Sequence, residues 1–297
     1  MQAVYGAPPA DLAEVDGAAV QTSPLTPGSS DLAEIADESL DGVTMLAPPG
    51  TLERRYALAH ALRAMKPGGL LLALAPKDKG GSRLGKELAG FGGQVAESGK
   101  RHHRICAVER PKDVTGIEQA IRDGGPRLAE GLGWTQPGVF SWDRIDPGSA
   151  LLMEHLPALA GAGADFGCGL GLLARHVLGA GAVERLTLVD IDRRAVESAR
   201  LNVEDARAAF EWADVRTLAL SGLDFVVMNP PFHEGGAEER ALGQGFIAAA
   251  AQALRAGGVC WLVANRHLPY EAALAESFKR VRLVHEGRAF KVCEAVR

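Results

Sequence analysis

The fold is indicated first by the stretch Asp224-Phe225-Val226-Val227-Met228-Asn229-Pro230-Pro231-Phe232. An apolar, partly β-branched run that stops at a polar residue and two prolines is typical of a buried strand, and open α/β sheets bind ligands at strand ends. The prolines keep the backbone extended and remove N–H donors, so this strand end offers mainly acceptors. The Asn229 side-chain oxygen and the Pro230 carbonyl can accept both hydrogens of a planar NH2 group, with Phe232 stacked on its ring. The stretch therefore predicts either such an amine site or a plain strand with Phe232 in the core.

Length and composition set the broad class. A chain of 297 residues predicts two domains, because a single core seldom grows past about 250 residues, and a hydrophobic content of 47% is ample for both cores. The four cysteines have neither close pairing nor metal-type spacing, so we expect a reduced cytoplasmic protein without a metal. No apolar run is long enough to span a bilayer and the amino terminus lacks a basic-then-apolar pattern, so no membrane partner is expected.

The charge is unevenly distributed. The formal net charge is −5, yet residues 41–112 hold thirteen Lys or Arg against six Asp or Glu, whereas residues 1–40 hold seven acidic and no basic side chains. Clustered cations are what a phosphate backbone requires, although an ordinary solvated surface has the same composition. The cations in question are Lys77, Lys79, Arg83, Lys86, Lys100, Arg101 and Arg104.

An internal repeat is visible in the order of predicted elements. After forty residues expected to be loosely ordered or to form one short helix, strands, helices and Gly-Gly breaks alternate from Asp41 onward, and the same order returns from Leu223. When the two Pro-Pro pairs are aligned, Asn229 and Phe232 correspond to Ala47 and Gly50. Alanine cannot accept an amine hydrogen and glycine cannot stack, so the first copy is predicted to be catalytically silent.

A glycine-rich turn precedes the second Pro-Pro motif. A short apolar strand enters Asp165-Phe166-Gly167-Cys168-Gly169-Leu170-Gly171, and a helix is predicted from Leu172 to Leu178. This arrangement lets a ligand contact backbone and a helix N-terminus, and on glycines alone it also fits a nicotinamide dinucleotide. Asp165 favours a cationic cofactor instead, because a pyrophosphate would be repelled there. Cys168 is interpreted as a small packing residue.

Polar residues end the neighbouring predicted strands. Asp190 is placed to bind two ribose hydroxyls, and Asp214 is a candidate acceptor for an adenine amino group. With right-handed crossovers, the ends at Asp165, Asp190, Asp214 and Asn229 share one sheet edge. Any one of these acids is more often a helix cap or a solvated residue, but the series together favours a binding site.

These motifs resemble a known class. Asp165 to Gly171, Asp190 and Asp214 are similar to the S-adenosylmethionine motifs of class I methyltransferases, and Asn229 to Phe232 resembles the signature of those that methylate amine or amide nitrogen. The chain more narrowly resembles the small-subunit ribosomal RNA guanine-N2 methyltransferase family (RsmC) and its large-subunit relative. The stretches that carry this likeness are residues 137–141, 146–152, 229–235, 263–270 and 287–292.

The resemblance implies a Rossmann-like α/β catalytic domain behind a smaller, degenerate methyltransferase-like domain. We expect the leading domain at residues 1–112, a linker at 113–133 and the catalytic domain at 134–297. The cofactor implied is S-adenosylmethionine, with further contacts from Phe140, Gly167, Cys168, Ile191 and Val215. The partner implied is ribosomal RNA, free or within a ribosomal subunit, and His233 is a candidate substrate contact. His267, Tyr270 and Lys291 are further candidates for RNA contact, and each fits an ordinary surface residue equally well.

The mechanism expected is direct methyl transfer to a guanine turned out against Phe232, with Asn229, Pro230 and Pro231 holding the amine. His233 can relay a proton, but a substrate contact or a structural role is the more common one for such a histidine. Two other functions fit the sequence: an amine methyltransferase acting on DNA adenine N6 or protein glutamine, and a non-catalytic module for ribosome assembly.

Overall fold

The structure, a computed structural model, describes residues 1–231, 236–268 and 270–297. It divides into two compact units. Unit 1 comprises residues 1–127 and 136–138, and unit 2 comprises residues 128–135 and 139–297. Within the described residues, no helix has the length and apolar character needed to cross a membrane. The four cysteines are buried free thiols.

Unit 1 is a mixed sheet with three helices. Its strands are in the order β2-β1-β3-β4-β6-β5, all parallel except that β6 runs antiparallel to β4 and β5. The elements are β1 (Gln2–Tyr5), β2 (Val20–Gln21), β3 (Leu40–Leu46), α1 (Thr51–Ala64), β4 (Met65–Pro76), α2 (Ser82–Ala89), β5 (Val95–Lys100), β6 (His103–Glu109) and α3 (Ile117–Gly124), with a single irregular turn at Lys77–Gly81 before α2.

Unit 2 contains a larger sheet of the same kind. Its order is β11-β10-β9-β12-β13-β15-β14, and only β15 runs antiparallel to its neighbours; β7 and β8 pair separately. The elements are β7 (Arg127–Ala129), β8 (Gly133–Thr135), α4 (Pro147–His155), β9 (Gly161–Phe166), α5 (Leu172–Leu178), β10 (Val183–Asp190), α6 (Arg193–Asn202), β11 (Ala208–Trp212), β12 (Leu223–Met228), α7 (Gly236–Ala253), β13 (Leu254–Asn265), α8 (Glu271–Ser277), β14 (Arg280–Glu286) and β15 (Phe290–Val296).

The two sheets repeat one topology, as the sequence predicted. If the outer strand β11 is set aside, β10-β9-β12-β13-β15-β14 corresponds strand for strand to β2-β1-β3-β4-β6-β5. The parallel pairs and the antiparallel strand at the end match as well. A central strand that reads as an unbroken apolar run, such as β12, is buried on both faces of such a sheet.

The first forty residues are more ordered than expected. They form β1 and β2, and Ala3, Val4 and Tyr5 of β1 are buried. β1 pairs with β3, whose first residue lies about forty positions further along the chain, so its partner is invisible to local pattern reasoning. The expectation of a loose segment or one short helix was wrong.

The segment expected to be a linker also differs. Its helix α3 packs on α1, because Gly124 allows the close approach of Tyr56 and the Leu52 carbonyl: an added Cβ would lie 2.4 Å from the Tyr56 Cβ and 2.6 Å from that oxygen. Residues 113–127 are therefore part of unit 1, which ends later than the predicted residue 112.

Candidate active site

The site lies where parallel strands of unit 2 end side by side. Asp165 of β9 is opposite Val227 of β12 and Leu188 of β10, so the last residues of all three strands are at the same level. Asp190 is the last residue of β10, and Asn229 follows β12 directly. The predicted convergence of strand ends is thus observed.

The glycine turn between β9 and α5 has the conformation that requires glycine. Gly167, Gly169 and Gly171 have φ values of 75°, 52° and 79°, in the left-handed region. The turn is fixed to the next strand, because the backbone N–H groups of Gly167 and Cys168 donate to the Val189 carbonyl at 2.9 and 3.0 Å. These hydrogen bonds fix the backbone of the turn, and the three glycines leave it uncovered by side chains at their positions.

Asp190 links that turn to the following loop. Its Oδ2 accepts from the Gly169 N–H and its Oδ1 accepts from the Asp192 N–H, both at 2.9 Å. Burial raises the pKa of Asp190 to about 6, against the opposing effect of these hydrogen bonds. The next residue, Ile191, has an exposed side chain.

Asp165 is an unusual buried carboxyl. It is completely buried, and neither oxygen makes a hydrogen bond of standard geometry with a described residue. Burial, and secondarily the nearby Asp190, raises the pKa of Asp165 to about 8, although the Ala174 N–H opposes the rise. A cation next to this group would favour its ionised form.

The side-chain amide of Asn229 is held from one side. Its Nδ2 donates to Asp146 Oδ2 at 2.8 Å and to Ser149 Oγ at 2.9 Å. An ionised carboxylate can only accept, so the amide nitrogen must face Asp146. The Oδ1 atom points away from Asp146 and accepts no hydrogen bond from the part of the chain that is described.

Asp146 and Ser149 were not among the predicted site residues. They stand at the start of α4, where Asp146 is the N-cap and accepts from the Ser149 N–H at 2.7 Å, and Pro147 occupies the first turn. The sequence indicates this cap but not its contact with Asn229. Both residues line one cavity with the glycine turn, Asn229 and the predicted cofactor residue Phe140, which is 60% exposed.

Three predicted cofactor residues are less directly available. Arg216 engages both carboxyl oxygens of Asp214 and holds the pKa of that carboxyl below its usual range. The Val215 side chain packs in the core, so a side-chain contact with the cofactor is not supported. Burial raises the pKa of the Cys168 thiol, in keeping with its interpretation as a packing residue.

The predicted RNA contacts divide into two groups. Lys291 and Tyr270 were wrong as RNA contacts: both are buried, and Lys291 Nζ donates to the Leu268 carbonyl and pairs with Glu271. His267 is exposed, as are six of the cations in unit 1, namely Lys77, Lys79, Arg83, Lys86, Lys100 and Arg101. Phe232 and His233 lie outside the described residues.

Some of the exposed cations have acidic or carbonyl partners. Lys100 donates to the Asp11 carbonyl at 2.8 Å, Arg101 pairs with the Asp11 carboxylate, and the half-buried Arg104 pairs with Glu97 at 3.2 Å. In the part of the chain that is described, no ion pair engages the side chains of Lys77, Lys79, Arg83 and Lys86. We refer to these four as the unit 1 cation cluster.

The equivalent strand end in unit 1 is filled by the protein itself. Arg54 is completely buried, and its Nη1 donates to the Pro48 and Pro49 carbonyls at 3.0 and 2.7 Å. Its Nε and Nη2 donate to Glu87 at 2.6 and 2.7 Å. Tyr5 pairs with Met45, at the position that Asp165 and Val227 occupy in unit 2. Unit 1 therefore has no counterpart of the Asp165 carboxyl or the Asn229 amide, and its Pro-Pro carbonyls are occupied by Arg54.

The fold and the site together define a Rossmann-like methyltransferase that acts on nitrogen. Residues 132–294 match the family model described as methyltransferase small domain. The chain is 36% identical to ribosomal RNA small subunit methyltransferase C of Pseudomonas paraeruginosa over 262 residues, which cover 84% of this chain and 77% of that protein. It is 30% identical to the protein of the same name from Shewanella loihica, over 86% of this chain and 77% of that one. The chain belongs to the ribosomal RNA small subunit methyltransferase C family, which has the methyltransferase small domain.

A solved structure is similar over the whole chain. It is the 16S rRNA N2 G1207 methyltransferase (RsmC) of T. thermophilus, in complex with AdoMet and guanosine. The TM-score is 0.81 at 26% identity, and the match covers 100% of this chain and 88% of that one. The predicted family, fold class and methyltransferase activity are thus confirmed.

Proposed function

We propose that this protein transfers a methyl group from S-adenosylmethionine to the exocyclic N2 amine of a guanine in small-subunit ribosomal RNA. The observation that carries the proposal is the amide of Asn229, whose nitrogen is engaged by Asp146 and Ser149 and whose oxygen receives no hydrogen bond from the described residues. An NH2 group on a flat ring is a donor that matches this oxygen, and guanine N2 is such a group. The relatives support the choice, since their names specify the small subunit and, for the T. thermophilus protein, guanine N2.

S-adenosylmethionine fits the residues present. Asp165 is a buried carboxyl for which the ammonium group of the cofactor would be a partner. The turn at residues 167–171 lets backbone approach a ligand, and Asp190 offers oxygens to ribose hydroxyls. We assign the remaining contacts to Phe140, Cys168, Ile191, Asp214 and the backbone of Val215.

The residues of the strand end align the amine. When bound, S-adenosylmethionine supplies a methyl group that is attached to a positively charged sulfur. The amine nitrogen attacks the methyl carbon as the sulfur–methyl bond breaks. Asn229 Oδ1 and the Pro230 carbonyl accept the two amine hydrogens, and Pro231 keeps the backbone extended. Because alignment supplies much of the acceleration, no strong base is needed, and one amine proton leaves to water after transfer. We place Phe232 against the guanine ring and His233 in contact with the substrate.

Unit 1 is proposed to bind RNA without catalysing the reaction. Arg54 occupies the carbonyls that correspond to the amine site, so chemistry is not expected there. The unit 1 cation cluster is exposed and suits phosphates, with added contacts from Lys100, Arg101 and Arg104 of the same unit. In unit 2, the exposed His267 is proposed as a separate RNA contact. We further propose that the substrate is an assembled or partly assembled small subunit in the cytoplasm.

The proposal is tested by methyl transfer from labelled cofactor. The purified protein is incubated with 16S ribosomal RNA, assembled small subunits, DNA and a protein fraction, and the labelled nucleoside is identified by mass spectrometry. We expect label in N2-methylguanosine of the ribosomal RNA. Label in DNA adenine or in protein glutamine would favour the other amine methyltransferases. Retained cofactor binding without any transfer would favour an assembly module.

A further inference from the structure

Asn229 is connected to a helix start that lies far away in the sequence. Asp146 and Ser149 precede it by 83 and 80 residues, and each accepts one hydrogen bond from its side-chain nitrogen, at 2.8 and 2.9 Å. The same Asp146 Oδ2 accepts from the Ser149 N–H at 2.7 Å. One carboxylate oxygen thus caps α4 and holds the amide of Asn229.

This arrangement fixes which end of the amide faces the substrate. If the amide were turned over, its oxygen would face a carboxylate oxygen at about the same short distance, and two acceptors would repel each other. Since both hydrogens of Nδ2 have acceptors, the favourable orientation turns Oδ1 away from Asp146, and no described residue donates to it. Without this contact, an asparagine at a strand end could present either its acceptor or its donor to the substrate.

We infer that Asp146 and Ser149 are positioning residues that make the site selective for amines by presenting Asn229 as an acceptor. The inference rests on the proposed function, since it assigns the orientation of the group that receives the substrate amine. It gives the start of α4 a role in that function, because residues there decide that Asn229 presents its oxygen, and not its nitrogen, to the substrate. A substrate group that can only accept would meet an acceptor and be rejected.

The cap of α4 and the orientation of Asn229 can be separated by substitution. Because one Asp146 oxygen serves both contacts, Asp146→Asn can keep both by placing its amide oxygen there, and it is the conservative control. Ser149→Ala removes the Oγ acceptor but keeps the backbone N–H. Neither change is expected to shift the melting temperature by more than a few degrees.

The decisive experiment exchanges the two partners. In Asn229→Asp two carboxylates face each other, whereas in the double variant Asp146→Asn with Asn229→Asp the new asparagine donates to the new aspartate, whose other oxygen can accept the amine. We expect Asp146→Ala, which removes the acceptor that faces the Asn229 amide, to lower kcat tenfold or more, with the KM for RNA and the cofactor Kd within about threefold, and Asp146→Asn to recover most of that loss. We expect Asn229→Asp to be almost inactive and the double variant to recover at least tenfold over it. A double variant no better than Asn229→Asp would overturn the inference.

A second measurement does not depend on turnover. Hydrogen exchange of the Asn229 side-chain NH2, followed by NMR in asparagine-labelled protein, should be slow in the wild type and faster in Asp146→Ala. Fast exchange in the wild type would overturn the inference whatever the activity. Slow exchange in a protein that methylates no ribosomal RNA would instead mean that the proposed function is wrong and that the orientation of Asn229 is real.

Discussion

Asn229 supplies the acceptor on which the proposed chemistry depends. Asn229→Ala removes Oδ1 and is expected to lower the rate of methyl transfer about 10²- to 10³-fold, as does the loss of one preorganised hydrogen-bonding group at other reacting centres. Single-turnover transfer to ribosomal RNA measures this rate, and calorimetry measures the cofactor Kd, which should stay within about twofold. A variant with unchanged turnover would show that the amine is held by other groups.

Asp165 should make the stability of the unliganded protein depend on pH. Its pKa of about 8 in the folded protein lies above its ordinary value of 3.8, so the folded protein keeps a proton that the unfolded chain has released. The free energy of unfolding therefore falls as the pH rises from about 4 to about 8. Urea unfolding between pH 6.5 and 7.5 should show a slope steeper than that of Asp165→Asn by up to about 1.4 kcal/mol per pH unit.

The comparison with Asp165→Asn is needed because Asp190, with a pKa of about 6, titrates in an overlapping range. Asp190 is present in both proteins, so the difference in slope belongs to Asp165. Parallel slopes for the two proteins would show that Asp165 is already ionised at neutral pH. A cation bound next to Asp165 would lower its pKa and should reduce the difference.

Single residues were predictable when their role was local. Asn229 and the glycine turn follow from strand ends and backbone conformation, which the sequence shows directly. Asp146 and Ser149 were missed because their contact with Asn229 joins positions at least 80 residues apart. Lys291 was misassigned because composition does not tell an exposed lysine from one whose ammonium is buried against a carbonyl and Glu271.

The turn between β9 and α5 offers a matched test at the level of elements. Gly169 and Gly171 both have positive φ, but an added Cβ on Gly169 meets no atom within 4 Å, whereas one on Gly171 would lie 2.7 Å from Val203 Cγ2 and 3.3 Å from Ala199 Cβ of α6. Gly169→Ala should cost about 1–2 kcal/mol of backbone strain alone. Gly171→Ala should cost more, because α5 and α6 must also separate.

Urea unfolding of both variants without cofactor measures these free energies. Gly169→Ala is the control for the conformational strain that the two positions share. If the two variants were equally stable, the close approach of α5 and α6 would contribute nothing measurable.

The strand that ends at Asn229 and the helix after the glycine turn were predicted close to where β12 and α5 lie. Helix α5 was predicted at its observed bounds, because glycines mark its start and its end. The strands β1 and β2 were missed because they have four and two residues and no periodicity that can be recognised. Residues 113–133 were expected to be a linker, but α3 belongs to unit 1 because of the contact of Gly124 with Tyr56, which is tertiary and leaves no local pattern.

For the whole molecule, the unit 1 cation cluster predicts how RNA binding responds to salt. Each phosphate contact that is lost should reduce the slope of log K against log salt by about 0.7 to 0.9. The double variant Lys77→Ala with Lys79→Ala should therefore reduce that slope by about 1.5 and weaken binding of 16S ribosomal RNA. Fluorescence titration from 50 to 200 mM KCl measures both effects.

The matched control removes two cations of the same unit that already have acidic partners. Lys66 pairs with Asp41 at 2.7 Å and Arg122 with Glu118 at 3.5 Å. Lys66→Ala with Arg122→Ala changes the net charge equally and should leave the slope near that of the wild type. Equal effects of the two double variants would mean that total charge, and no particular surface of unit 1, governs binding.

The repeat of one topology in both units was predictable in outline, because the Pro-Pro pairs and Gly-Gly breaks recur at matching places. The first strand of the repeat, β1, was not found, since Tyr5 and its neighbours carry none of the acid and glycine pattern that marks β9. Because β1 lacks this acid and glycine pattern, we expect unit 1 to have no role in cofactor binding.

Arg54 gives this duplicated chain a further property. A strand end that binds no ligand can leave buried carbonyls without hydrogen-bond donors, and such unsatisfied acceptors destabilise a fold. In unit 1 the guanidinium of Arg54, which is planar and rich in N–H donors like the edge of a nucleobase, donates to the Pro48 and Pro49 carbonyls. The strand end of unit 1 is therefore complete without a ligand, so this unit can be stable although it binds neither cofactor nor nucleobase there.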